Sequence, residues 1–346
     1  MHALKRFGTA FGGYKMMENY PVPECGPDDI ILEIKAAAIC GADMKHWGVD
    51  NGYDDTNITP DQQQSVRGHE FAGEIVKVGE NVKDWHIGQR VVSDNSAHVC
   101  GVCPACEQGD FLCCEHKVNL GLDNNTWGGG FSKYCKVPGE ILAIHKHAIW
   151  EIPEGIKYEE ACVLDPICNA YKAVAQQSHL IPGQDVVVFG TGPLGLFSVQ
   201  VAKLMGAVNI VMVGLDDDVK VRFGVAKELG ATHCVNGSKE DVVARCTEIC
   251  GRDNLGLVIE CSGANIALKQ AIEMTRPNAE IVRVGMGFKP LEFSINDITA
   301  WNKSIIGHMA YDSTSWRNCI RLLQSGQIKV QPMITHRLGL SQWQEG

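Results

Sequence analysis

Hydrophobic and polar positions are patterned in two different ways along the chain. Up to about residue 155 the apolar residues come in short runs, Ile30-Ile31-Leu32-Glu33-Ile34 and Gly73-Glu74-Ile75-Val76-Lys77-Val78 among them, punctuated by Gly and Pro and with little helical periodicity. Runs of this kind between turn residues predict an irregular, mostly antiparallel β domain. Around Asp185 the texture changes. Strands are predicted at Val186–Phe189, Ile210–Val213, Thr232–Val235, Leu257–Cys261 and Glu280–Val284. Between them, amphipathic spacing predicts helices over Leu194–Met205, Val219–Leu229 and from about Glu240. Strands separated by helices imply right-handed crossovers and a parallel sheet, so the fold class is α/β plus β. A last helix is expected at Trp316–Leu323, followed by irregular chain from Pro332. No repeat, low-complexity tract or linker interrupts the sequence, so the domains are expected to pack directly on each other.

Composition narrows this picture. The chain has 346 residues, more than one core fills, since single cores stop growing at roughly 250–300 residues. Lys and Arg number 31 against 41 Asp and Glu, a formal net charge of −10 that argues against nucleic acid or an anionic membrane as a main partner. No apolar run approaches the roughly 18 residues of a membrane span. The opening Met1-His2-Ala3-Leu4-Lys5-Arg6-Phe7 lacks the features of a signal peptide, and a cytosolic location is expected. Fifteen cysteines, an odd number spread over the whole length, do not read as a disulfide framework. Most sit singly in apolar segments, as buried thiols do.

Four of them are different. Cys100, Cys103, Cys106 and Cys114 lie within fifteen residues, in CGVCPACEQGDFLCC. Four thiolates suit a tetrahedral zinc with no position left for substrate, which makes the site structural. The rival iron–sulfur run closes with C-x3-C-P, and Asp110 stands where its third-spaced cysteine would be needed. Cys113 adjoins the set, with Cys114 preferred as the ligand. A second signal is Gly190-Thr191-Gly192-Pro193-Leu194-Gly195, directly after a predicted strand and opening a predicted helix. In that context a GxGxxG is a dinucleotide site. Gly190 allows the tight turn, Gly192 admits the pyrophosphate, Gly195 permits close helix–strand packing, and the helix start offers free N–H groups. The acidic residue expected for the ribose is displaced: the next strand ends at Gly214, and Asp216-Asp217-Asp218 follow two to four residues later. These acids disfavour a 2′-phosphate, whereas Lys220 and Arg222 would welcome one. NAD is the expected cofactor and NADP the alternative. A helix N-terminus complementing its dipole is the competing use of the three acids.

A third group is dispersed: Cys40 in AAAICGAD, His69-Glu70 in RGHEFAGE and Asp165 in ACVLDPICNA. Taken singly, His69 reads as a satisfied buried imidazole and Cys40 as an inert thiol. Together, Cys, His and carboxylate can hold a zinc with a position open to water or substrate. GHEFAGEIVKVG, the four-cysteine lobe and GTGPLG, in this order and spacing, resemble the zinc-dependent medium-chain dehydrogenases, with the polyol (sorbitol-like) and threonine dehydrogenase branch most similar. The likeness spans essentially the whole chain.

The resemblance implies a GroES-like zinc-binding domain of residues 1–155 and 299–346, a doubly wound Rossmann domain of residues 156–298, and an active site in the interdomain cleft. It makes Cys40 and His69 catalytic zinc ligands, with Glu70 a further ligand or a close neighbour of one. Successive side chains of a strand face opposite ways, so both His69 and Glu70 reach one ion only if the backbone kinks at Gly68. Asp165 stands where the polyol branch has Glu, its shorter side chain holding either the ion or a water beside it. Asp43 orients His69. The implied chemistry is Lewis-acid activation of a secondary hydroxyl and hydride transfer to nicotinamide, with a polyol or sugar derivative as substrate and L-threonine 3-dehydrogenase as the alternative. Two departures follow. Ala42 replaces the hydroxyl residue that usually begins the proton relay, which leaves Lys45 and His46 as the nearest titratable groups. The chain also ends at Ser341–Gly346, short of the helix and strand with which the family usually continues, as a truncated sequence would. A homotetramer or homodimer is the implied assembly. Ala42 is also the one feature that favours a nucleotide-binding structural or sensing protein without turnover.

Overall fold

The computed structural model describes residues 1–7, 13–47, 65–123, 125–287 and 289–346, and of Lys45 and His46 only the backbone. The chain divides into two compact units, Met1–Asp165 with Ile334–Gly346, and Pro166–Met333. The strands of the first unit are β1 (Ala3–Arg6), β2 (Tyr14–Met17), β3 (Ile30–Ala38), β4 (Glu70–Val78), β5 (Arg90–Ser93), β6 (Ser96–His98), β7 (Val118–Asn119), β8 (Tyr134–Val137) and β9 (Ile149–Glu151). Five of them form a sheet in the order β8-β3-β4-β5-β9, and every pairing is antiparallel. Its core gathers Ile30, Leu32, Phe71, Ile75, Val91 and Val137, and the intervening Ile31, Ala72 and Val92 are buried as well.

The second unit holds β10 (Asp185–Phe189), β11 (Ile210–Gly214), β12 (His233–Asn236), β13 (Leu255–Glu260), β14 (Glu280–Arg283) and β15 (Ser304–Gly307). They form one sheet, β12-β11-β10-β13-β14-β15, parallel throughout. β10, β11 and β13 are buried along their whole length, as strands covered on both faces must be. The strand order reverses between β10 and β13, and the crevice at such a reversal is where doubly wound sheets take ligands.

Two expectations are modified. The parallel sheet does not end near residue 298: β15 adds a sixth strand, and the helix Ser313–Gln324 belongs to the same unit, so the chain returns to the first unit only at Ile334. β15 is only four residues long, with one adjacent pair of isoleucines and no alternation, and three of its four residues are exposed at the sheet edge. At the other boundary the first unit extends to Asp165, beyond residue 155. Separately, the helix expected at Val219–Leu229 begins at Arg222, because Asp216–Asp218 form a 3-10 turn of their own. Among the described residues no helix is long and apolar enough to cross a membrane.

Candidate active site, cysteine lobe and dinucleotide crevice

Gly68 determines how His69 and Glu70 can face one point. Its φ is +90°, and an added Cβ would meet the Phe131 ring at 2.7 Å and the Phe131 nitrogen at 2.8 Å. Only glycine combines that conformation with that approach. The kink leaves His69 just outside β4, which starts at Glu70, so the two side chains escape strand alternation. Cys40 comes from the opposite direction, between β3 and the helix Gly41–Trp47. One ligand atom from each of Cys40, His69 and Glu70 lies within 4.8 Å of the others. In tetrahedral zinc with bonds of about 2.0–2.3 Å, donors stand about 3.3–3.8 Å apart, so the three fit one ion with small adjustment.

The surroundings agree with a cation. His69 and Glu70 are each 5% exposed, so two of the three donors are held away from water. Burial, then the carboxylates of Asp165 and Asp43, holds Glu70 well above the ordinary carboxylate range. Burial and then Glu70 push Cys40 well above the ordinary thiol. The donor set is thus short of positive charge, which a divalent cation supplies. Asp43 Oδ1 lies 3.9 Å from His69 Nδ1, and its Oδ2 accepts from the Cys40 N–H at 3.0 Å. It stands behind both ligands, where an orienting carboxylate belongs.

The structure does not bring Asp165 into the three-donor cluster. It opens the helix Leu164–Tyr171, and its Oδ2 accepts a 3.0 Å hydrogen bond from Asn95 Nδ2. A side chain one methylene shorter than Glu, held by that amide, stays beside the ligands as a further negative charge. Ala42, Lys45 and His46 share the helix Gly41–Trp47. The side chains of Lys45 and His46 lie outside the described residues.

Sequence reasoning overlooked Asn95, Tyr14 and Arg67. Tyr14 donates to the Asp43 carbonyl at 3.0 Å, and burial pushes its phenol up to about 12 against the pull of Arg67. Arg67 is 2% exposed and donates to the Leu122 carbonyl at 2.5 Å. The available signal was a cation, Arg67, directly preceding Gly68-His69.

In the cysteine lobe the sulfurs of Cys100, Cys103, Cys106 and Cys114 converge within 4.8 Å, and Cys113 is exposed outside the set. The Cys100 sulfur stands 3.6 Å from that of Cys114 and 4.0 Å from that of Cys106. These separations bracket the about 3.8 Å edge of a zinc–sulfur tetrahedron. No two of the 15 cysteines form a disulfide.

The glycine turn has the form its sequence predicts. Gly190 has a φ of +93°, Gly192 caps the helix Pro193–Leu204 with Pro193 in its first turn, and the space where a Gly192 Cβ would sit is open. A Cβ on Gly195 would come 1.8 Å from the Gly190 carbonyl oxygen. Gly195→Val is therefore expected to weaken NAD binding about tenfold or more, an overpacking cost of 1–3 kcal/mol or above, measured by fluorescence titration.

The acids after Gly214 separate. Asp216 accepts from Asn236 Nδ2 at 2.7 Å and pairs with Lys239 at 3.2 Å, and these bonds lower its pKa. Asp218 folds back instead. Its Oδ2 lies 2.8 Å from where a Gly214 Cβ would be, accepting the Leu215 N–H at 2.8 Å, while Arg222 Nη1 stands 3.3 Å from its Oδ1 and 3.5 Å from Thr191 Oγ1. A carboxylate thus occupies the end of β11 although the strand itself ends in glycine.

The alcohol dehydrogenase GroES-like domain matches residues 26–147 and the zinc-binding dehydrogenase domain residues 193–325. An uncharacterized zinc-type alcohol dehydrogenase-like protein, YdjL of Escherichia coli K12, is 78% identical over 100% of this chain and 94% of its own. The chain belongs to the zinc-binding dehydrogenase family. Sorbitol dehydrogenase of Halalkalibacterium halodurans is 30% identical over 99% of this chain and 94% of its own. L-threonine 3-dehydrogenase of Rhizobium rhizogenes is 32% identical over 95% of this chain and 90% of its own. The architecture is that of a zinc- and dinucleotide-binding oxidoreductase, with the antiparallel GroES-like unit carrying both donor clusters and the parallel unit carrying the glycine turn.

Proposed function

We propose that the chain oxidises a secondary hydroxyl of a small polyol or sugar derivative to a ketone, with NAD as the hydride acceptor and one proton released. The observation that carries this reading is the convergence of Cys40, His69 and Glu70 beside the buried carboxylates of Asp43 and Asp165. Bound in that set, zinc would supply Lewis-acid activation of the hydroxyl, and a bound nicotinamide would supply the hydride acceptor. Cys40, His69 and Glu70 would hold the ion, Asp43 would orient His69, and Asp165 would add an acceptor that suits the neighbouring hydroxyls of a polyol. With Ala42 in place of a hydroxyl residue, the released proton leaves through Lys45 or His46.

Asp218 supports NAD over NADP, because its carboxylate repels a 2′-phosphate and occupies Arg222. Asp218→Ala is expected to raise kcat/KM with NADP relative to NAD about tenfold, which steady-state assays with both cofactors read directly. A homotetramer or homodimer in the cytosol completes the proposal, and light scattering on the purified protein checks the assembly. The deciding experiment follows reduced-cofactor formation with a panel of polyols and with L-threonine. Turnover of polyols supports the reading. Turnover of L-threonine alone identifies a threonine 3-dehydrogenase, and no turnover of either class rejects both.

A further inference from the structure

Asn95 has no place in the expected chemistry, yet it is 4% exposed and sits in the left-handed region with φ of +61°. Its Nδ2 reaches across 70 residues of sequence to Asp165 Oδ2 at 3.0 Å. We propose that Asn95 is a positioning residue that holds the Asp165 carboxylate beside the Cys40–His69–Glu70 centre; this rests on the reading that the centre binds zinc.

The backbone around Asn95 is fixed on both sides. Its N–H donates to Ser93 Oγ at 3.0 Å, and its carbonyl accepts the Leu120 N–H at 2.7 Å. The preceding residue is anchored as well: Asp94 Oδ1 accepts the Ser96 N–H at 2.9 Å, and Oδ2 meets His145 Nε2 at 2.6 Å. The His145 ring lies 4.2 Å from that of Phe111, which stands between Cys106 and Cys114 in the cysteine lobe. The amide is therefore presented from a rigid seat, with little left for its side chain to choose.

The chemistry of an amide suits the task. Asp165 is 8% exposed and close enough to Glu70 that its charge is the largest carboxylate influence on that residue. A carboxylate in that position needs a donor to stay oriented, and a cationic donor would offset the negative charge that attracts the metal. Asn donates without adding charge, and of the ordinary side chains it is among the few that tolerate φ above zero. A turn residue selected only for its backbone would be served equally by glycine and would not need an amide aimed at a distant acid.

The test is a double-mutant cycle read in zinc affinity. Asn95→Gly keeps the left-handed backbone accessible and deletes the donor. Zinc per chain is measured in the wild type, Asn95→Gly, Asp165→Asn and the double variant, and zinc at the Cys40 centre is then titrated against a chromogenic chelator. Partners behind metal ligands contribute about 10–100-fold to affinity. Each single variant is expected to bind this zinc about tenfold more weakly, and the double variant no more weakly than Asp165→Asn. The zinc of the cysteine lobe and the thermal midpoint report whether the fold is kept. Wild-type affinity in Asn95→Gly, or losses that add in full, overturn the positioning role. A single zinc in the wild type instead overturns the proposed function, so the two failures are told apart.

Discussion

Cys40→Ser is expected to take the protein from two zinc ions per chain to one and to abolish turnover, lowering kcat/KM by about a thousandfold or more. Serine is nearly isosteric, so the half-buried loop between β3 and the helix Gly41–Trp47 keeps its packing. What changes is the donor. A thiolate is a soft anionic ligand, whereas a serine hydroxyl stays protonated and leaves only His69 and Glu70 to hold the ion. Loss of Lewis-acid stabilisation amounts to several kcal/mol, and each 1.36 kcal/mol is a factor of ten in rate. Atomic absorption on wild type and variant, beside steady-state assays, gives the answer. One zinc in both proteins would remove the catalytic centre and leave a nucleotide-binding protein without turnover, the reading that Ala42 alone favours.

What could be read in the sequence is what depends on neighbours along the chain. The glycine turn, the cysteine lobe and the buried strands Asp185–Phe189 and Leu255–Glu260 are encoded within a dozen or so residues each, so spacing and apolar runs reveal them. The convergence of His69 and Glu70 could be stated only as a condition on Gly68, because the deciding quantity is a backbone angle, here +90°. The choice between Asp216 and Asp218 turned on which carboxylate folds back to Gly214, and three identical residues in a row carry no information about that. Asn95 was invisible for a different reason: its partner is 70 residues away and neither residue belongs to a periodic pattern. β15 escaped because four residues with Ile305 and Ile306 adjacent are too few to show an alternation.

Cys106→Ser is expected to empty the cysteine lobe of zinc, lower the thermal midpoint by about 10 °C or more, and open residues 100–114 to limited proteolysis, while NAD binding by the parallel unit persists. The lobe has little else to hold it. Its helix, Pro104–Glu107, is four residues long with no side-chain cap, far below the length at which a helix stands alone in water. Structural zinc contributes about 10–16 kcal/mol to the folding of small zinc domains at neutral pH, and even a fraction of that, at about 2–4 °C per kcal/mol for a unit of this size, gives the stated shift. Cys113→Ser is the control that isolates the metal from a general loss of thiols. Cys113 is exposed and outside the tetrahedral set, so this variant should keep both zinc ions, the midpoint and the proteolytic pattern of the wild type. If Cys113→Ser loses zinc as Cys106→Ser does, Cys113 rather than Cys114 closes the tetrahedron. If the wild type itself holds no zinc in the lobe, the four sulfurs converge for packing alone. The Phe111–His145 contact adds a further consequence: once the lobe opens, His145 loses its stacking partner and with it part of the support for Asp94, so Cys106→Ser should also weaken zinc binding at Cys40, though less than Asn95→Gly does.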